Sequence, residues 1–229
     1  MSNIVGTFNG LSISYRPNTS DEYQVRADIS PMFVAEYTPS EDHTIMDIGA
    51  HIGTFALEAT RKVPRGKIFA VEPCLESFQL LETNIRLNGL DSIIAASNVA
   101  ISDKRRRARL SYYPKHPIFG EQNWGNTLTQ VFPYGEMVDT TTLPEFFEEK
   151  QIAHCDYMKL NCEGSEFDIL LSTPADYLRR TNIYLVLYHS DLNKNHNGEE
   201  LLELFRRSGF NVKIKNEEDN RGWIIAQRT

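Results

Sequence analysis

The residues that could do chemistry fall into two groups. The first is Lys159, Asn161, Glu163 and Glu166, joined by Tyr188 and His189 after the next apolar run. Carboxylates and imidazoles take protons from hydroxyls or amines, and an unperturbed imidazole pKa of about 6.5 suits proton capture near neutrality. The Asn161 amide can orient a ligand but cannot take a proton. Glu163 reads as a base or a substrate contact. Glu166 either joins it in catalysis or satisfies the free N–H groups of a helix start. Lys159 either pairs with Glu163 or Asp156 to hold the turn or meets an acidic group of an acceptor. The second group is Asp47 before Gly49-Ala50-His51-Ile52-Gly53, with Glu72 closing the following run. A Gly-x-x-x-Gly turn between a strand and a helix lets backbone pass close to a ligand, and an acid at the next strand end can accept both hydroxyls of a ribose. His51 stands where a dinucleotide fingerprint has its middle glycine, which favours an adenosine ligand smaller than NAD. It reads as a loop residue beside that ligand rather than a base.

The elements that must position these groups alternate. Strand Thr44–Ile48, helix 53–63, strand Lys67–Val71, helix 76–88 and strand 93–96 come first, with 98–102 as the exit of the last strand. Residues 103–137 are the least regular stretch. A short helix Leu143–Glu149, strand 157–161, helix Ser165–Ser172, strand 183–187 and helix 199–208 resume the rhythm. The runs 211–215 and 222–227, around a polar turn, propose an antiparallel hairpin at one edge. The result is an α/β fold with a mostly parallel sheet and helices on both faces, whose ligand crevice lies beyond the strands' carboxyl ends. Ahead of it, Ile4 to Tyr15 reads as two strands around Asn9-Gly10, and 21–37 as helix broken at Ser30-Pro31. The expected organisation is one domain over 1–229, with 1–40 as a cap or lid.

With 229 residues the chain can bury one substantial core, and its formal charge of −7 argues against broad contact with bare nucleic acid. No run reaches the roughly 20 apolar residues of a membrane span, and no amino-terminal signal pattern is evident. Cys74, Cys155 and Cys162 are odd in number and lack metal-site spacing, so buried thiols in a reducing, cytoplasmic setting are expected. The run Lys104-Arg105-Arg106-Arg107-Ala108-Arg109 reads first as a solvated turn and strand start, and second as a surface for phosphate or acidic partners. Downstream, Tyr112, Tyr113, His116, Phe119 and Trp124 could wall a substrate pocket.

Ile45 to Gly53, Val71-Glu72-Pro73, Asn84 with Asn88-Gly89, and Met158-Lys159-Leu160-Asn161-Cys162-Glu163-Gly164-Ser165-Glu166 together resemble the FkbM family of S-adenosylmethionine-dependent methyltransferases. The similarity runs from about Asp21 to the last strands. It implies a seven-stranded, Rossmann-like class I methyltransferase sheet with an antiparallel C-terminal edge strand. It also implies S-adenosylmethionine as cofactor, S-adenosylhomocysteine as product, and methylation of a small-molecule hydroxyl such as that of a sugar or secondary metabolite. By the same resemblance, Asp47 and Gly49, flanked by His51 and Gly53, line the methionine part and Glu72 holds the ribose. Ser102 and Asp103, or the preceding 98–100, lie near the adenine. Lys159, Glu166, Tyr188 and Trp124 face the acceptor.

Two positions depart from the family pattern: Asn161 stands where an Asp is usual, and Tyr188 precedes His189 where an acid is common. Both remove oxygen ligands, so no metal is expected, and Glu163 and His189 become the leading candidates for base or substrate contact. Competing readings are an N-methyltransferase, a non-catalytic binding protein, an RNA methyltransferase and, last, a nicotinamide dehydrogenase. The acceptor's identity and the oligomeric state do not follow from the sequence.

Overall fold

A computed structural model describes residues 3–26, 32–112, 125–218 and 220–229. The Ser30-Pro31 break, Tyr113, His116, Phe119 and the expected substrate contact Trp124 lie outside these residues. Strands β1 (Ile4–Phe8) and β2 (Leu11–Tyr15) form an antiparallel hairpin. Its turn residues Asn9 and Gly10 both take positive φ, 45° and 75°, as a tight hairpin with matching twist requires. Helix α1 (Ser20–Arg26) follows.

The central elements are β3 (Thr44–Ile48), α2 (Thr54–Ala59), β4 (Lys67–Val71), α3 (Leu75–Leu87) and β5 (Ile94–Ser97), then β6 (Ala100–Ser102), β7 (Arg106–Ser111), β8 (Gly135–Thr142) and α4 (Leu143–Glu149). They continue as β9 (Cys155–Leu160), α5 (Ser165–Ser172), α6 (Ala175–Leu178), β10 (Thr181–His189), α7 (Gly198–Arg207), β11 (Phe210–Glu218) and β12 (Arg221–Arg228). Seven strands make one sheet in the order β11-β12-β10-β9-β3-β4-β5, and β12 runs antiparallel to both its neighbours. The edge hairpin expected from the sequence is thus present. Strand order reverses between β3 and β9, where the crevice of a doubly wound sheet opens.

Alternation along the strands divides the core. Met46, Ile48, Met158 and Leu160 face a cluster with Phe146, Phe167 and Phe205. Ile45 and Tyr157 face the opposite cluster with Phe55, Leu81 and Leu185. A fully buried Phe side chain contributes roughly 2–3 kcal/mol by burial, so these layers fix the strand ends that carry the site. Capping is local chemistry: Thr142 and Glu145 close a capping box on α4, and Asn197 and Glu200 do so on α7.

Helix α3 holds the hairpin through side chains. Buried Asn84 accepts from Ser14 N–H (2.6 Å) and donates to the carbonyls of Ser14 (3.1 Å) and Ile52 (2.8 Å). One turn on, Asn88 accepts from Ser12 N–H (2.9 Å) and donates to Ser12 O (2.7 Å). The amides supply the partners that an exposed β2 edge would otherwise lack.

The stretch 103–137 is more regular than its composition suggests, because β6, β8 and β7 form a second, three-stranded sheet. The basic run lies in and just before β7, and acids take up most of its charge. Arg106 binds Asp103 at 2.7 Å, Arg107 approaches Asp139 at 3.8 Å across the ladder, and Arg105 meets Glu145 and Glu149. Arg109 donates to the Pro133 carbonyl at 3.1 Å. The solvated-surface reading of the run is the one these contacts support.

Candidate active site

At the end of β3 the chain turns through Gly49, φ 78°, and His51, φ 53°, into Gly53, φ 93°, the cap of α2. A Cβ on Gly49 would stand 2.0 Å from the Asn161 carbonyl oxygen, so the glycine lets the ends of β3 and β9 touch. Glu72, at the end of β4, accepts from His51 N–H (2.8 Å) and from Cys74 N–H (2.9 Å), one bond on each carboxylate oxygen. Burial pushes its carboxyl above the ordinary range, against the pull of His51 and the two N–H groups. Asn98 donates to the Glu72 and Pro73 carbonyls, both at 2.9 Å, and so pins the loop after β5 to the same strand end.

A buried polar chain reaches this turn from the amino-terminal segment. Arg16 grips Asp21 with Nε (2.7 Å) and Nη2 (2.9 Å), and Asp21 Oδ1 lies 3.0 Å from His51 Nε2. The other ring nitrogen of His51 is 3.2 Å from Gln24 Oε1. Burial would raise the Asp21 carboxyl, but His51 and Arg16 outweigh it and hold it well below the carboxylate range.

Across the crevice, Lys159 is 4% exposed and donates to Asp47 Oδ1 (2.7 Å) and Gly49 O (3.1 Å). The buried Asp47 Oδ2 and the Asn161 and Asn126 Oδ1 atoms have no hydrogen-bond partner among the described residues. Glu163 takes φ 51°, a strained setting for a residue with a Cβ, directly before Gly164 at φ 100°. Its Oε2 lies 3.6 Å from His189 Nε2, and its carbonyl accepts from Thr127 Oγ1 at 2.6 Å. Burial raises the Glu163 carboxyl, while His189 pulls it down. Glu166, fully buried, accepts from the N–H groups of Cys162 and Gly164 and lies 3.2 Å from His189 Nδ1. Burial alone would lower the His189 pKa, but Glu163 and Glu166 outweigh it and push it up to about 9.

These strand ends enclose a cavity with about 720 Å³ of open space in and at its mouth. Of the residues singled out by sequence, Gly49, His51, Glu72, Asn161 and Glu163 line it. Asp47, Gly53, Lys159, Glu166 and His189 stand behind that wall and hold its turns. His189 is buried and charged at neutral pH, a poor state for a base. On the β5 side the wall is Val99, Ala100 and Ile101 rather than Ser102 or Asp103, which bond each other at 3.0 Å in the small sheet. Tyr188 is a core residue: its buried ring meets Phe167 edge-on, and a Cβ at Gly198 or Gly222 would come within 2.6 or 2.9 Å of it. The wall also includes Gln24, Leu110, Asn126 and Leu128, which sequence reasoning missed. Their shared signal is weak, since each reaches the cavity from outside the strand-end turns.

Cys162 lines the cavity, and burial lifts its thiol well above the ordinary range. Among the described residues no group of three or more His, Cys, Asp and Glu side chains could hold a metal ion, and no helix is long and apolar enough to cross a membrane.

Residues 47–212 match the methyltransferase FkbM domain. The methyltransferase sdnD of Sordaria araneosa is 37% identical over 158 residues, which cover 58% of this chain and 61% of that protein. The AMB antimetabolite synthetase AmbE of Pseudomonas aeruginosa is 23% identical over 210 residues, 76% of this chain but 10% of the synthetase. The chain therefore spans about six tenths of one curated relative and a tenth of the other. Among solved structures, M. capricolum TrmK in complex with S-adenosylhomocysteine shares the fold at TM-score 0.50 and 13% identity, over 83% of this chain and 63% of TrmK. A seven-stranded sheet with a reversed edge strand, a glycine turn after β3 and an acid after β4 thus coincide with a match across most of the chain, and the protein belongs to the FkbM methyltransferase family.

Proposed function

We propose that this chain transfers a methyl group from S-adenosylmethionine to a hydroxyl of a small molecule, with Glu163 as the proton acceptor. The residues present fit the cofactor. Glu72 is a fixed double acceptor suited to a ribose diol, and the apolar strip Val99 to Ile101 suits an adenine. The S-adenosylhomocysteine complex of TrmK, which shares the fold, supports the same choice. S-adenosylmethionine supplies an activated methyl group on a sulfonium, so what remains for the protein is positioning and removal of the acceptor's proton.

The observation that carries the reading is Glu163. It is the cavity-lining acid on the β9 side, it sits in a strained backbone conformation, and it has a buried cation behind it. Strain of about 1–3 kcal/mol persists where the surroundings enforce it, and here Thr127, Gly164 and His189 do so. His189 serves as a positioning residue: fixed by Glu166, it keeps the Glu163 carboxylate ionised and aimed. The unpartnered oxygens of Asn161 and Asn126 are suited to donors on an acceptor, as a polyhydroxylated molecule would offer. The acid-paired arginines in and just before β7 favour a small molecule over RNA.

The test is methylation of a panel of small alcohols, amines and RNA, read as S-adenosylhomocysteine release and product mass. A methylated hydroxyl is expected, and Glu163→Gln should slow it by about 10²–10⁴-fold while S-adenosylhomocysteine affinity is kept. A Glu163→Gln rate within about threefold of wild type, well below general-base effects, would remove Glu163 from the mechanism and favour a neutral amine acceptor.

A further inference from the structure

The matched family region begins at Asp47, yet the cavity wall includes Gln24 of α1. Around the crevice lie the passage from β5 into β6, then the ends of β4, β3 and β9, carrying Val99 to Ile101, Glu72, the Gly49–His51 turn and Asn161 to Glu163 respectively. With adenine against the first and ribose on the second, an elongated nucleoside amino acid places its amino-acid end at the third. That is where Gln24 stands, 3.2 Å from the His51 ring.

The two acids of the wall, Glu72 and Glu163, would repel a carboxylate there, so its partner must be a hydrogen-bond donor. Gln24 can supply one. Its Oε1 is engaged by His51 Nδ1 at 3.2 Å and Thr54 Oγ1 at 3.5 Å, which leaves the amide –NH₂ end for the cavity. His51 is in turn held by Asp21, and Asp21 by Arg16, which also meets Glu76 (3.0 Å) and Ser77 (3.0 Å) at the start of α3.

We infer that Gln24 is a cofactor-binding residue whose amide donates to the carboxylate of the cofactor's amino-acid part, with Asp21 and His51 as positioning residues that set the amide's orientation. The inference rests on the cofactor reading above. It also makes α1, ahead of the matched family region, part of the site.

The test is calorimetric titration of the full chain with S-adenosylhomocysteine and with its decarboxylated analogue. Wild type should prefer the intact product by about tenfold or more, as a hydrogen bond to a charged group implies. Gln24→Ala should erase most of that preference by weakening S-adenosylhomocysteine alone, and Gln24→Glu should reverse it. Asp21→Asn should weaken the preference in a protein shown by circular dichroism to be folded. If the Gln24 variants keep the wild-type preference, or lose both ligands equally, the assignment is overturned. Wild type that binds neither ligand would instead overturn the cofactor reading itself.

Discussion

Replacing Lys159 with methionine isolates the ion pair that joins β3 to β9. Lys159 Nζ sits 2.7 Å from Asp47 Oδ1, with 4% of the lysine and none of the aspartate exposed. Among the described residues the second aspartate oxygen has no hydrogen-bond partner, and Lys159 is the main compensation for the buried charge, ahead of the Ala56 backbone and His51. Removing one member of such a pair costs about 3–5 kcal/mol, whereas replacing both by apolar groups of like volume is often neutral. Lys159→Met should therefore lose about 3–5 kcal/mol in urea unfolding at pH 7. The double variant Asp47→Leu, Lys159→Met should regain about 2 kcal/mol or more of it. The deficit also has a pH signature. Burial already holds the Asp47 carboxyl above its ordinary 3.8, against Lys159, and without Lys159 it rises further. A carboxyl raised in the folded state is harmless below its unfolded value and destabilises as pH climbs through the folded one. The Lys159→Met deficit should therefore be small near pH 4 and grow towards neutrality. A loss under about 1 kcal/mol at pH 7, far short of a broken buried pair, would refute this account, as would a double variant no more stable than the single one.

Glu72→Ala should weaken S-adenosylhomocysteine binding by about 2–4 kcal/mol, since two charge-assisted bonds are lost. Unchanged affinity by calorimetry in a folded variant would remove Glu72 from the ribose site. His189→Gln removes the cation that pulls the Glu163 carboxyl down, so the acid limb of the kcat/KM profile should move to higher pH. A limb that stays in place would mean that Glu163 and His189 are not coupled during turnover.

Strands β3 and β4 were legible to the residue because apolar runs buried on both faces end abruptly at glycine and acid. Helices α4 and α5 were equally clear, since Thr142 and Gly164 mark their starts. Strand β7 was legible only as a strand start: five of its six residues are Arg, Ser or Arg-flanked Ala, and its exposed face is stabilised by acids far along the chain. Strand β10 extends beyond its apolar centre to Thr181 and His189, where pairing with β9 and β12 supplies what composition does not. In the site, Glu72 and Glu163 were readable because they lie in the turns just after β4 and β9. Gln24 and the Arg16–Asp21 pair were not, because their shared partner His51 lies 27 or more residues along the chain and only packing brings them to the turn. Tyr188 shows the converse. A polar-tipped residue beside a candidate histidine looks functional in sequence, yet two facing glycines make room for its ring in the core.

The position of β12 bears on how the protein is made. Arg221–Arg228 is synthesised after every other strand of the main sheet but is inserted between β10 and β11. While the ribosome is still building it, β10 presents an unpaired edge along seven register positions, from Ile183 to His189, with apolar residues at its centre. Such an edge is a template for pairing with other chains, and long-range pairing of this kind is slow to form. The nascent chain therefore passes through a stage at which β10 is open to pairing with other chains until β12 takes its place.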